Sequence, residues 1–177
     1  TSHRELRQFS ETTPSAMAHP AVLRQAQALG LMGLLPFFAF ATLAWLPEDA
    51  VVGHVGAAQL AQRALVAYAA VILSFLGAVH WGVALATPTA TPQLARSFLM
   101  WGVVPPLLGW LALLMMFLGL APWLVLSFLI ADLLLVRMMD GALFRHRPTR
   151  TEGYLDLRTR LTAGATLALA IALAATI

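Results

Sequence analysis

Long runs of apolar residues alternate along the chain with short polar connections. A window of about 19 residues, the length that crosses a bilayer as a helix, finds five such runs. They cover about residues 26–46, 64–85, 98–118, 122–139 and 161–177. The pattern predicts an all-α integral membrane bundle of five transmembrane helices. We interpret residues 20–177 as a single transmembrane domain and residues 1–19 as a flexible polar tail.

The composition agrees with a membrane protein and excludes an ordinary soluble one. The 177 residues are 60% hydrophobic and 11% charged, against roughly 45–50% and about 25% in soluble domains. Five spans use roughly 100 residues, so we expect no separate soluble catalytic domain within this chain. There is no cysteine, which excludes disulfides, thiolate metal sites and cysteine nucleophiles.

The basic residues are distributed unevenly between the two sides that five spans create. All 11 are arginines, and ten of them lie on or near the side shared by the N-terminal tail and the second and fourth loops; the other side has Arg63. Positively charged loops stay on the cytoplasmic side. We therefore predict an N-terminus in the cytoplasm, or in an organelle's equivalent interior, and a C-terminus outside. Reporter fusions that place both ends on one side would contradict the five-span prediction.

Three ionisable side chains lie inside the predicted spans, where each costs from about 2.5 kcal/mol upward on insertion scales. They are His80 in the second span, and Asp132 and Arg137 in the fourth. At the helical rise per residue, His80 lies about 8 Å, Asp132 about 2 Å and Arg137 about 10 Å to the cytoplasmic side of the midplane. We predict that they form a polar layer that holds a ligand or a proton.

Each of the three residues also has a structural interpretation. Arg137 can extend to the headgroups and pair with Asp140 one turn later. His80 can be a packing residue that bonds a backbone carbonyl. Asp132 has no helical partner on the next turn, so it needs a partner from another helix, a water molecule or a proton of its own.

Prolines and small residues predict how the spans bend and pack. Pro36, Pro105 and Pro106 each free the carbonyl four residues earlier, so we expect bends in spans one and three and carbonyls that join the polar layer. The second span carries small residues at a spacing of four, with Gly77 beside them: Ala70, Ser74, Ala78 and Gly82. This ridge lets a helix approach closely, either within the chain or, as a weaker alternative, in a homodimer.

No known catalytic or metal-binding pattern stands out. A bis-histidine haem needs two facing histidines in the membrane, and only His80 is placed there. The remaining histidines lack metal-ligand spacing, and no nucleophile has an adjacent base. We therefore expect no metal, no cofactor and no enzymatic reaction. The fourth loop is basic, with Arg145, Arg147 and Arg150; its place at the membrane surface predicts contact with anionic lipid rather than nucleic acid.

Three stretches carry a family resemblance. They are Leu29-Gly30-x-x-Gly33-Leu34-x-Pro36-Phe37, then Tyr68 through Ile72-Leu73-Ser74-Phe75-Leu76-Gly77 to His80-Trp81-Gly82, and Tyr154-Leu155-x-Leu157-Arg158 with Leu161-Thr162. They resemble a small multispan family of unknown function with bacterial members and the mitochondrial transmembrane protein 69. Ala78 stands where that pattern has a second glycine. The resemblance runs from Ala26 onward, implies an inner membrane, and transfers no activity.

Two functions are consistent with these observations in a multi-pass protein of the bacterial inner (cytoplasmic) membrane. The first is a non-enzymatic accessory or assembly-type component that contacts lipids, another membrane protein or a second copy of itself. The second is a binder or carrier of a small molecule, a proton or a quinone that uses the polar layer. A cavity beside the polar residues favours the second function, whereas a dry and closed bundle favours the first.

Overall fold

The chain folds into a helical bundle, which a computed structural model describes over residues 20–47, 49–86, 91–144 and 152–177. The predicted polar tail and the arginines of the basic loop, Arg145, Arg147 and Arg150, lie outside these ranges. The helices are α1 (Pro20–Met32), α2 (Leu35–Leu43), α3 (Ala57–Ala86), α4 (Pro92–Phe117), α5 (Pro122–Phe144) and α6 (Glu152–Ala174).

Five segments in the described ranges are long and apolar enough to cross a membrane. One combines most of α1 with α2, and α3, α4, α5 and α6 provide the other four. This confirms the prediction of a helical bundle with five helices long and apolar enough to cross a membrane. The architecture is that of a multi-pass membrane protein.

Helices α3, α4, α5 and α6 each extend beyond the apolar run that predicted them. α3 begins at Ala57 rather than at residue 64, α4 begins at Pro92 rather than at 98, α5 ends at Phe144 rather than at 139, and α6 begins at Glu152 rather than at 161. A hydropathy window marks only the part of a helix that suits lipid, whereas backbone hydrogen bonding continues the helix farther. The additional turns bring Asp140 and Arg158 into the bundle.

A short antiparallel hairpin precedes α3. Its strands, β1 (Val51–Val52) and β2 (Val55–Gly56), pair Val52 with Val55. Gly53 in the turn has a φ of 65°, which glycine adopts without a steric cost. The prediction of helices alone missed this hairpin, because two-residue strands are too short to show an alternating pattern.

The first span is interrupted between α1 and α2. Pro36 lacks an N–H and cannot bond to the carbonyl of Met32, and regular helical structure lapses at Gly33 and Leu34. The Tyr68 hydroxyl of α3 donates to the Gly33 carbonyl at 2.9 Å. Phe37, just past the break, is buried edge-on against the Tyr68 ring. α3 therefore holds the interrupted span in place.

Glycines allow α3 and α4, the most extensive helix pair in the described bundle, to approach closely. A Cβ atom on Gly77 would lie 2.6 Å from the Pro106 Cδ atom and would also meet the Gly102 carbonyl oxygen, which Pro106 leaves without its helical donor. A Cβ atom on Gly109 would lie 2.9 Å from the Ala70 carbonyl oxygen. The two helices thus pair antiparallel, with contacts repeating every seven residues.

The small residues of α3 divide between two faces. Ala70 and Gly77 are buried against α4, whereas the others are exposed, namely Ser74, Ala78 and Gly82. Pro105 and Pro106 lie within α4, which remains a continuous helix around them. The packing of α3 therefore uses Ala70 of the predicted ridge together with Gly77 beside it, and leaves the other three ridge residues on the outer surface.

Candidate functional site

Three buried ionisable side chains meet at one end of the bundle. Asp140 of α5 accepts two hydrogen bonds at Oδ2 from Arg158 of α6, at 2.9 Å from Nε and 2.6 Å from Nη2. Its Oδ1 atom lies 2.9 Å from Nε2 of His80 in α3. His80 and Asp140 are 0% exposed and Arg158 is 6% exposed. These three residues, called the polar cluster below, connect α3, α5 and α6.

Aromatic rings enclose the polar cluster. The rings of Phe98 in α4 and Phe144 in α5 lie 5.9 Å and 6.0 Å from the imidazole of His80, measured between centroids. Phe144 also contacts the ring of Tyr154 at 5.4 Å. Apolar surroundings strengthen the attraction between paired charges and make an unpaired charge costly.

Both ring nitrogens of His80 face hydrogen-bond acceptors. Nδ1 lies 2.9 Å from the carbonyl oxygen of Leu76, which can only accept, so Nδ1 carries a proton. Nε2 and Oδ1 of Asp140 are 2.9 Å apart but not aligned as a hydrogen bond, and neither has a hydrogen-bond partner among the described residues. Two facing lone pairs would repel each other. One proton therefore resides on Nε2 or on Oδ1.

Arg137 lies beside the polar cluster rather than within it. Its Nε and Nη2 atoms donate to the Thr159 hydroxyl at 2.9 Å and 2.7 Å, and that hydroxyl donates to the Leu155 carbonyl at 2.8 Å. Asp140, considered above as a partner for Arg137, is instead bonded to Arg158. Arg137 thus forms a separate link between α5 and α6.

Asp132 is also buried, but it lies nearer to the middle of α5 than Asp140 does. It is 4% exposed, and its Oδ2 atom finds no hydrogen-bond partner in the part of the chain that the structure describes. Asp140 follows it on α5 by a distance of about 12 Å along the helix axis. The structure therefore divides the predicted layer, with His80 in the polar cluster, Arg137 beside it and Asp132 apart.

An apolar cavity of about 450 Å³ adjoins the polar cluster. Its polar wall residues are Tyr154, Arg158 and Thr162 of α6, and its apolar walls come mainly from α1, α2, α3 and α6. Leu29 and Phe75 at its edge are 62% and 64% exposed, so the cavity reaches the lateral surface. Its volume falls within the roughly 300–1,000 Å³ of small-molecule sites.

A second cavity, at the opposite end of the bundle, is much smaller. It measures about 160 Å³ and is lined by residues that include Gln59, Arg63 and Met116. This volume is below the roughly 300 Å³ at which small-molecule sites begin. We therefore take the larger cavity, together with the polar cluster, as the candidate site.

Close packing of α1 against α6 forms one side of the larger cavity. A Cβ atom on Gly30 would lie 3.0 Å from the Leu161 Cδ1 atom, and one on Gly164 would lie 2.6 Å from the Leu34 Cδ1 atom. Glycine at these positions therefore lets α1 and the break after it, which contains Leu34, approach α6. Two of the stretches that carry the family resemblance, residues 29–37 and 154–162, therefore lie on the same side of the cavity.

Asp140 and Arg158 are site residues that the sequence-based prediction missed. Both lie outside the apolar runs, so Arg158 counted only as a loop arginine and Asp140 only as a partner for Arg137. A helical signal for Arg158 was present, because Tyr154, Arg158 and Thr162 follow one another at a spacing of four and share a helix face. Spacing within one helix cannot show which acid on another helix will meet that face.

Comparison with known proteins identifies a family. No curated protein and no solved structure matches the chain. The family described as "Protein of unknown function (DUF3429)" matches residues 22–174, a range that includes the polar cluster, the larger cavity and all five candidate spans. The chain therefore belongs to DUF3429, a protein family of unknown function.

Proposed function

We propose that this protein is a non-enzymatic membrane protein that binds a lipid-like small molecule, of the size and polarity of a quinone or a single-chain lipid, in the larger cavity. The observation that carries the proposal is the position of that cavity. Its apolar walls open sideways past Leu29 and Phe75 and end at the polar wall residues Tyr154, Arg158 and Thr162. A molecule dissolved in the bilayer can enter from the side and place its polar head at Arg158.

The arrangement of His80 supports binding rather than catalysis. One ring nitrogen is bonded to the Leu76 carbonyl, and the other faces the Asp140 carboxylate. A general base needs a free nitrogen within reach of the proton that it removes. His80 is not among the wall residues of the cavity, so neither of its nitrogens reaches a ligand there. The polar cluster is therefore a fixed charged group that positions a ligand.

A place and an orientation in the cell are part of the proposal. The excess of arginine on one side supports a cytoplasmic N-terminus and an outside C-terminus. The family resemblance supports the bacterial inner membrane. The polar cluster lies where α3 and α5 end and α6 begins. In this orientation the ligand's head is in the cytoplasmic half of the bilayer.

A second candidate function is that of an accessory or assembly-type component. The outer face of α3 favours it, because Ser74, Ala78 and Gly82 are exposed and a Cβ atom on Gly82 would meet nothing within 4 Å. Another membrane protein, or a second copy of this chain, can approach closely at such a face. Native mass spectrometry after gentle purification separates the two candidates, since a ligand adds the mass of a small molecule and a partner adds that of a chain.

Filling the larger cavity should displace the ligand while the protein stays folded. Val79 lines the cavity, so V79F places a ring in it; V71F adds the same ring to an exposed position of α3 outside the cavity. We expect native mass spectrometry to show roughly tenfold weaker retention of a lipid-like molecule in V79F, a loss of about 1.4 kcal/mol. V71F should retain it as the wild type does. Equal retention in the two variants would contradict binding in this cavity.

A further inference from the structure

We propose that the ligand of the larger cavity is an anionic amphiphile, with one acid group at the polar cluster and an apolar chain along the cavity walls. This inference rests on the proposed function and specifies the charge of the ligand's head. It follows from the charges of the polar cluster and from the way the cavity meets them.

The polar cluster has an excess of positive charge. Arg158 carries one positive charge, and the proton on Nε2 or Oδ1 supplies a second, whereas Asp140 supplies the single negative charge. The excess is the same whichever of the two atoms holds the proton. Because all three side chains are buried, a charge without a counter-ion nearby is costly there.

Neighbouring described residues do not neutralise this excess. Asp132 lies about 12 Å away along α5. Asp156 pairs with Arg160 at 2.9 Å on the exposed side of α6. Arg137, which donates to the Thr159 hydroxyl of α6, adds positive rather than negative charge. The described acids near the polar cluster therefore leave its positive charge uncompensated.

The cavity gives an anion direct access to this charge. Arg158 belongs to the polar cluster and is also a wall residue of the cavity. Tyr154 and Thr162 lie one turn to either side of it on the same wall, and their hydroxyl groups can donate to an acid. Charge-assisted hydrogen bonds of this kind are stronger than those to a neutral head. A neutral quinone would leave the positive charge uncompensated.

A carboxylate and a phosphate share the chemistry that this site recognises, because both accept hydrogen bonds from a guanidinium and from hydroxyl groups. A fatty acid would supply the first and a lysophospholipid the second. Palmitate and palmitoyl lysophosphatidate carry the same chain, and hexadecanol matches that chain without a charge. These three probes separate the contribution of the head from that of the chain.

The test measures binding of the three probes to the full chain in a neutral detergent, by native mass spectrometry and by ligand-dependent melting. We expect at least one acid to bind roughly tenfold more tightly than hexadecanol. The acid that binds more tightly shows whether the ligand's head is the carboxylate of a fatty acid or the phosphate of a lysophospholipid. Equal affinity for the acids and the alcohol would overturn the inference and leave the proposed function standing. Binding of none of the three would overturn both.

A variant of His80 tests the origin of the charge. H80Q removes the imidazole proton and leaves Asp140 and Arg158 as a neutral pair, so we expect the acids to lose their advantage over hexadecanol. H54Q, in the exposed hairpin, is the matched control and should keep the wild-type preference. Full acid preference in H80Q would contradict the assignment of the charge. Should H80Q fail to fold, the affinity ratio of the wild type still decides the inference.

Discussion

Replacing Asp140 by asparagine should lower the free energy of unfolding by about 3–5 kcal/mol, the loss that follows when a buried charge loses its partner. The volume of the side chain hardly changes, but an amide replaces the carboxyl group. Arg158 would then remain buried, 6% exposed, without the carboxyl group that accepts two of its hydrogen bonds. We expect D140N to melt well below the wild type in detergent and to be recovered in lower yield.

D156N is the matched control for this loss of charge. Asp156 also pairs with an arginine, Arg160, but the two side chains are 63% and 71% exposed, and exposed ion pairs contribute little to stability. The same substitution on the surface of α6 should therefore leave the melting temperature nearly unchanged. Similar melting temperatures for D140N and D156N would show that the polar cluster does not stabilise the fold.

Replacing Gly77 by alanine should destabilise the contact between α3 and α4. Its Cβ atom would lie 2.6 Å from the Pro106 Cδ atom and would meet the Gly102 carbonyl oxygen, so the two backbones must move apart. Overpacking of this kind costs typically about 1–3 kcal/mol. We expect a clear drop in melting temperature, and G102A should behave similarly because its Cβ atom would meet Trp81 and the Gly77 carbonyl.

G82A is the control for the intrinsic effect of alanine in α3. Gly82 is exposed, and its Cβ atom would meet nothing within 4 Å. Alanine favours helix over glycine by about 1 kcal/mol, so G82A should be neutral or slightly stabilising. A loss of stability in G82A as large as that in G77A would mean that the close approach of α3 and α4 is not the cause.

The sequence predicted the five spans because each depends on a single property, the apolar length needed to cross a bilayer. It also singled out His80, since an imidazole in an apolar run requires a reason. Asp140 and Arg158 could not be identified as its partners, because both lie just beyond the apolar runs. Their meeting depends on how far α5 and α6 continue as helices and on which faces they turn to α3.

The small residues of α3 show a second limit of sequence patterns. A spacing of four advances about 40° around the helix at each step, so the ridge of Ala70, Ser74, Ala78 and Gly82 winds from one face to another. The contact with α4 instead involves Ala70 and Gly77, a seven-residue spacing that keeps one face toward a nearly antiparallel neighbour. The small residues of α3 indicate that another helix packs closely against it. Only the pairing of α3 with α4 shows which of these residues make the contact.

The most direct test of ligand binding in the larger cavity is photo-crosslinking with a long-chain acid that carries a photoreactive group in its chain. Membranes containing the full chain are irradiated, and the modified residues are mapped by mass spectrometry. We predict adducts near Leu29, Phe75 and Leu161 that unlabelled palmitate suppresses. Adducts that are spread over exposed apolar positions outside the cavity, such as Met100 and Met138, and that palmitate does not suppress would contradict the account.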